Sequence, residues 1–426
     1  MRAGVQSTRP SSGRGVRSSP GSAAPRYDHA RLNALLEKAW RRGWLPRPVL
    51  DADVLIAAAR KRTGLETLGA DRGWSDRLQI VTQALHDEAR LSSLGQVIAY
   101  GQLVAALANR ARMHALWQRH PDILDQQVWA PIIILGQMRS GSTRVQRLLA
   151  CDPRLAHTRF FESWNPVPAR TRRLAIDDRR LRGWIALRAA RWLNPDFDVI
   201  HPTGTAQPDE EIGFHNIAIF GSAYEAQWRV PSFAGACETM DTRPIYGEFR
   251  RLLQTVAWLR REPGDRPWIL KLPQMTQDLD AILATFPDAR LICLDRPASA
   301  LVASSASLVY NQMRVQSNAV DPHWIGREWL RKVVLRQRRT ASARARFDGP
   351  QVDVTFDEIN ADWRAAMRKV YAMLGMPLLP EAEARMARYL EQKRHRKLTN
   401  HLYSLEQFGL TEAEVEAATD VTRFVR

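Results

Sequence analysis

The chain has 426 residues, a formal net charge of +17 and an apolar fraction of 45%, enough for one large domain with an accessory part. No run approaches the roughly 18 apolar residues that span a bilayer. Three widely spaced cysteines, Cys151, Cys237 and Cys293, speak against a disulfide framework or a zinc site and suit a reducing compartment.

The basic excess fits a solvated face, a nucleic acid, an anionic membrane surface or a polyanionic small molecule. No zinc spacing, RNP motif or basic zipper accompanies it, so no nucleic-acid partner is expected. Residues 1 to 26 are rich in Ser, Gly, Pro and Arg and carry no acidic residue. Such a segment cannot bury enough surface to offset its ordering entropy and reads as a disordered basic tail. It lacks the apolar h-region of a secretory signal, and a cytoplasmic location is expected.

Residues 27 to 128 read as a helical extension. Leu32, Leu35, Leu36, Ala39 and Trp40 recur at helical spacing, with Gly43 as a stop. Asp51 is positioned to cap a helix carrying Val54, Leu55 and Ala58. Ile80, Leu85, Leu91, Val97, Leu103, Leu107 and Leu116 continue the pattern.

From residue 129 to 426 the pattern becomes α/β. Pro131–Leu135, Trp268–Leu272, Arg290–Asp295 and Gln351–Phe356 read as strands. Helical segments follow each, through Val145 and Leu149, Leu279 and Phe286, Leu301 and Leu308, and Trp363 and Leu374. The alternation predicts βαβ units: a P-loop-like parallel sheet flanked by helices. Ligands in such folds sit beyond the carboxyl ends of the strands.

Gly136-Gln-Met-Arg-Ser-Gly-Ser-Thr143 follows the first strand and opens a helix. Inward-facing N–H groups and the helix N-terminus favour an anion there. The spacing matches a Walker A loop, but Ser142 replaces its lysine and the cation comes earlier, at Arg139. Arg296 stands just past the third strand and offers a planar fork to a phosphate. Ser304, on the next helix, can add a hydroxyl if the chain folds back. Asp295 leaves open a Walker B strand holding magnesium.

Taken together, Arg139-Ser-Gly-Ser-Thr143, the eight-residue step from Arg296 to Ser304, Leu270-Lys-Leu-Pro-Gln274, Phe286-Pro-Asp-Ala-Arg290 and Tyr403–Leu410 resemble the sulfotransferases that use 3'-phosphoadenosine-5'-phosphosulfate (PAPS). The likeness is to the bacterial branch whose core looks like the tyrosylprotein sulfotransferases, and it runs over roughly residues 28 to 424. It implies that Arg139, Ser140, Gly141, Ser142 and Thr143 hold the 5'-phosphosulfate and that Arg296 and Ser304 hold the 3'-phosphate. No metal is expected, since cationic side chains and backbone N–H groups can neutralise the leaving phosphate. The likeness also implies in-line transfer of a sulfuryl group to a hydroxyl or amine of a small-molecule or peptide acceptor. Lys271 and Arg139 are the expected catalytic cations. Glu162, flanked by aromatics, is the expected base, about two residues late against the family; burial would raise its pKa. His201 and Glu210 are the other candidates. The acceptor pocket is expected between Trp164 and Glu262, where Trp192, Phe214, Phe220, Tyr224, Trp228 and Phe233 line a cavity or form core. The competing function is a P-loop phosphotransferase using ATP and magnesium.

Overall fold

The computed structural model describes residues 29–71, 73–169, 177–394 and 403–420; the expected tail of residues 1 to 26 lies outside the described residues. Five strands form one sheet: β1 (Ile132–Leu135), β2 (Ala156–His157), β3 (Trp268–Lys271), β4 (Arg290–Asp295) and β5 (Gln351–Thr355), in the order β2-β3-β1-β4-β5. Every pairing is parallel, with Ile134 of β1 in register with Lys271 of β3 and Ile292 of β4. β1 therefore lies between the two strands whose ends carry Lys271 and Arg296.

Strand periodicity explains the layers. All four residues of β1 are buried, as expected where helices cover both sheet faces. Ile133 and Leu135 join Leu270, Leu291, Phe249 and Leu253 on one face. Ile132 and Ile134 join Ile269, Ile292, Leu148 and Met367 on the other. Successive side chains point to opposite faces, so β1 seeds two cores at once. Each of these apolar side chains contributes about 1.5–3 kcal/mol by leaving water.

The N-terminal helices form where the periodicity places them. Asp51 caps Ala52–Thr63 by accepting from the Asp53 and Val54 N–H groups at 2.9 and 3.2 Å. Gly43 takes φ +68° just beyond the Ala30–Arg41 helix, the left-handed stop that glycine tolerates. The long Ser93–Arg119 helix packs Leu103 and Leu107 with Phe220, Tyr224, Trp228 and Phe233, while its Met113 and Leu116 reach the core over the sheet. Among the described residues no helix is long and apolar enough to cross a membrane.

Three of the four expected strands differ from the observed ones only at an end. Phe356 opens a short helix, Phe356–Ala361, instead of closing β5, because Thr355 and Glu358 form a capping box there. β2 is an additional strand of two residues, too short to carry a period.

Candidate active site

The carboxyl end of β1 runs into the loop from Gly136 to Gly141, and the Ser142–Leu149 helix starts there. Gly141 holds φ +90°, and a Cβ on it would lie 3.1 Å from Phe356 Cδ2. Gly136 has no room for a side chain either: its Cβ would meet Ser140 Oγ at 2.4 Å. Arg139 holds φ +72°, a conformation costly for a residue with a Cβ. Such strain concentrates where a loop must present its N–H groups in one direction. No side chain caps the helix, and the Ser140 hydroxyl is buried without a hydrogen-bond partner. An orphaned buried donor in a tight loop at a helix N-terminus fits an anion supplied from outside the chain.

The two expected halves of the cofactor site meet. Arg139 Nε donates to Ser304 Oγ at 3.0 Å. Arg296 Nη1 donates to the Arg139 carbonyl at 2.7 Å, and its guanidinium lies 4.3 Å from the Phe356 ring centroid. Ser305 Oγ donates to the Met138 carbonyl at 3.2 Å. The Ala298–Gln316 helix, bearing Ser304 and Ser305, thus folds back onto the loop. The 403–410 segment packs behind it, with Leu405 and Leu410 against Val302. Burial lowers the Arg139 guanidinium from its ordinary value.

Lys271 is buried at the end of β3 and reaches the same loop: its Nζ donates to Thr143 Oγ1 at 3.0 Å. The neighbouring strand thereby supplies the cation that Ser142 does not. The ammonium also pairs with the Glu210 carboxylate. Glu211, fully buried, accepts the Lys271 backbone N–H at 2.9 Å. Burial pushes the Glu211 carboxyl up to about 8. Two consecutive glutamates therefore grip one lysine, by side chain and by backbone.

Their segment is anchored to the Ser142–Leu149 helix. Gln146 donates to the Asp209 carbonyl at 3.0 Å and Arg147 to the Pro202 carbonyl at 2.7 Å. His201 lies 3.3 Å from Asp209, which also accepts from Thr203 Oγ1. Burial opposes the charge on Asp209, yet His201 and Thr203 hold its carboxyl below the usual range. Burial likewise works against protonated His201, and Asp209 outweighs it, so the imidazole pKa is raised.

Glu162 stands elsewhere. It lies in the short Phe160–Trp164 helix with no exposed surface. Arg260 Nε donates to it at 2.6 Å, a second Arg260 nitrogen pairs with its other oxygen, and the Arg159 N–H donates at 2.9 Å. The aromatic-flanked carboxylate is buried, and its charge is matched by Arg260, whose side chain is 10% exposed. Nothing in the local sequence announces that partner, 98 residues away. Of the aromatic residues expected near the acceptor, Phe214, Phe220, Tyr224, Trp228 and Phe233 are core, whereas Trp192 is exposed. Two site features escaped the sequence reading. Glu211 was visible only as one of three acidic residues in a row, and Phe356 as the last residue of a strand.

The family model described as "Sulfotransferase family" matches residues 131–381. The crystal structure of the sulfotransferase STF1 from Mycobacterium tuberculosis H37Rv superposes with a TM-score of 0.77 at 26% identity, covering 88% of this chain and 99% of that one. The sulfotransferase STF9 from Mycobacterium avium gives a TM-score of 0.77 at 25% identity, covering 88% and 96%. No curated protein matches the sequence.

Proposed function

The chain belongs to the sulfotransferase family and is an enzyme of sulfuryl transfer, and we propose that its donor is PAPS, held by the loop from Arg139 to Thr143 together with Arg296 and Ser304. The observation that carries this reading is the meeting of Lys271 Nζ with Thr143 Oγ1 at the mouth of a loop whose Ser140 hydroxyl lacks a partner. The phosphotransferase reading is not favoured: the matched family transfers sulfuryl groups, and no lysine stands at position 142.

When bound, PAPS supplies a sulfuryl group on a phosphate leaving group. Backbone N–H groups of the loop and the Ser140 hydroxyl bind anionic oxygens. Arg296, braced on Phe356, and Ser304 bind the 3'-phosphate. Arg139, which lies against Ser304, would add its positive charge to the same anion. Lys271, fixed by Glu211 and Thr143, holds positive charge where negative charge grows on the leaving group. Glu210, at the lysine and with its side chain partly open to solvent, takes the acceptor proton in place of the expected Glu162. A base must reach the acceptor, and Glu162 is sealed off. The acceptor is a small molecule or peptide, and the three free thiols suit the cytoplasm.

The test is calorimetric titration with adenosine 3',5'-bisphosphate, 5'-ADP and ATP with magnesium. Preferential binding of the 3',5'-bisphosphate is expected. Preference for ATP with magnesium would overturn the donor assignment.

A further inference from the structure

The Asp178–Leu193 helix is built inside out. Its inward face carries Arg179, Gly183 and Leu187, all buried. Its outward face carries Leu181, Trp184, Ile185 and Trp192, which are 53, 52, 52 and 72% exposed. These four stand at the i, i+3, i+4 and i+11 positions of one stripe. Solvent-facing helices normally reverse this arrangement. Arg180 and Arg188 are exposed on the same side, and Arg188 lies 5.7 Å from the Trp184 ring centroid. From Arg179 to Leu193 there is no acidic residue.

We propose that this face docks on an anionic lipid bilayer. A second copy of the chain is the weaker fit: it would bring the same arginines and another +17 charge against this face. An occupant both apolar and negatively charged is a lipid surface, where tryptophan and arginine sit at the headgroup level with their apolar parts inserted.

The helix is coupled to the site. Gly183 lies against Phe161, where a Cβ would come within 2.8 Å of the ring-bearing Cβ. Arg191 donates to the Thr203 carbonyl at 2.8 Å, and Thr203 holds Asp209, next to Glu210. Asn194, at its end, donates at 2.6 Å to Asn311, on the helix that bears Ser304. Docking would thus set the Glu210 side of the site near the bilayer and favour acceptors carried there. The docking itself stands apart from the donor assignment.

The test is flotation of the full chain with mixed phosphatidylcholine–phosphatidylglycerol vesicles and with pure phosphatidylcholine vesicles. Binding to the mixed vesicles is expected, weakened by salt. The double substitution Trp184→Ser, Trp192→Ser should lower partitioning by at least about tenfold. Arg188→Ala should lower it about fivefold on the mixed vesicles alone. These side chains point into solvent, and an unchanged melting midpoint checks the fold. Three results would overturn the proposal: no binding of the wild type, binding that survives the double substitution, or a wild-type dimer that the double substitution returns to monomer in sedimentation.

Discussion

Replacing Glu162 by glutamine separates a structural role from a catalytic one. The native carboxylate has no exposed surface and faces an Arg260 side chain that is 10% exposed. Removing one partner of a buried pair leaves the other charge uncompensated, at a cost of about 3–5 kcal/mol. Two features pull this case to the lower end. Arg260 keeps the His157 carbonyl at 2.7 Å and Glu262 at 3.3 Å. A glutamine oxygen can still accept the Arg159 N–H. We therefore expect a loss of about 3 kcal/mol, and a melting midpoint lowered by about 3 °C, because the unfolding entropy grows with chain length. Thermal unfolding followed by tryptophan fluorescence reads the midpoint. Calorimetry with adenosine 3',5'-bisphosphate should show an affinity within about twofold of wild type, since the substitution lies outside the proposed binding loop. An unchanged midpoint would refute the reasoning, and abolished turnover with an unchanged midpoint would restore Glu162 as the base.

Arg296→Ala should weaken adenosine 3',5'-bisphosphate binding about 10- to 100-fold while leaving 5'-AMP nearly unaffected, the signature of a lost charge-assisted contact to the 3'-phosphate. An equal loss for both ligands would place Arg296 elsewhere. Glu211→Gln tests the buried carboxyl through pH. Its folded pKa, about 8, lies above the ordinary 4.5. The folded protein therefore binds the extra proton, and wild-type stability falls as pH rises between those values. The glutamine variant should lose less stability over that window in denaturant titrations, and parallel curves would sink the claim. Gly141→Ala forces a side chain into φ +90° and against Phe356; we expect about 1–2 kcal/mol of destabilisation and weaker nucleotide binding, with an indifferent calorimetric trace as the contrary result.

The legible parts of this protein are those whose signals are local. Ile132 to Leu135 announce a buried strand by composition, Gly136 to Thr143 a tight turn from strand to helix by spacing, and Asp51 a helix start by its side chain. Arg296 and Ser304 both meet Arg139, as their eight-residue step suggested, because they lie within one strand–helix junction. β2, with two residues, had no period to show. The choice between Glu162 and Glu210 depended on which carboxylate meets an arginine and which meets a lysine. Those partners lie 98 and 61 residues away, set by tertiary packing rather than by neighbours in sequence. Trp192 shows the converse: its aromatic character suggested a pocket or core, whereas its helix turns it into solvent.

The parallel sheet also divides labour between its two rims. At the carboxyl rim stand Arg139, Lys271 and Arg296. At the amino rim, Arg290 ties the Ala130 carbonyl at 2.8 Å to that of Leu374 at 3.1 Å, joining the entry to β1 to the end of the Trp363–Met373 helix. Substitutions around Ala130, Arg290 and Leu374 should set how long the fold survives, and those across the sheet what it recognises. An engineer seeking a hardier version of this enzyme would work on the amino rim, and one seeking a new specificity on the carboxyl rim.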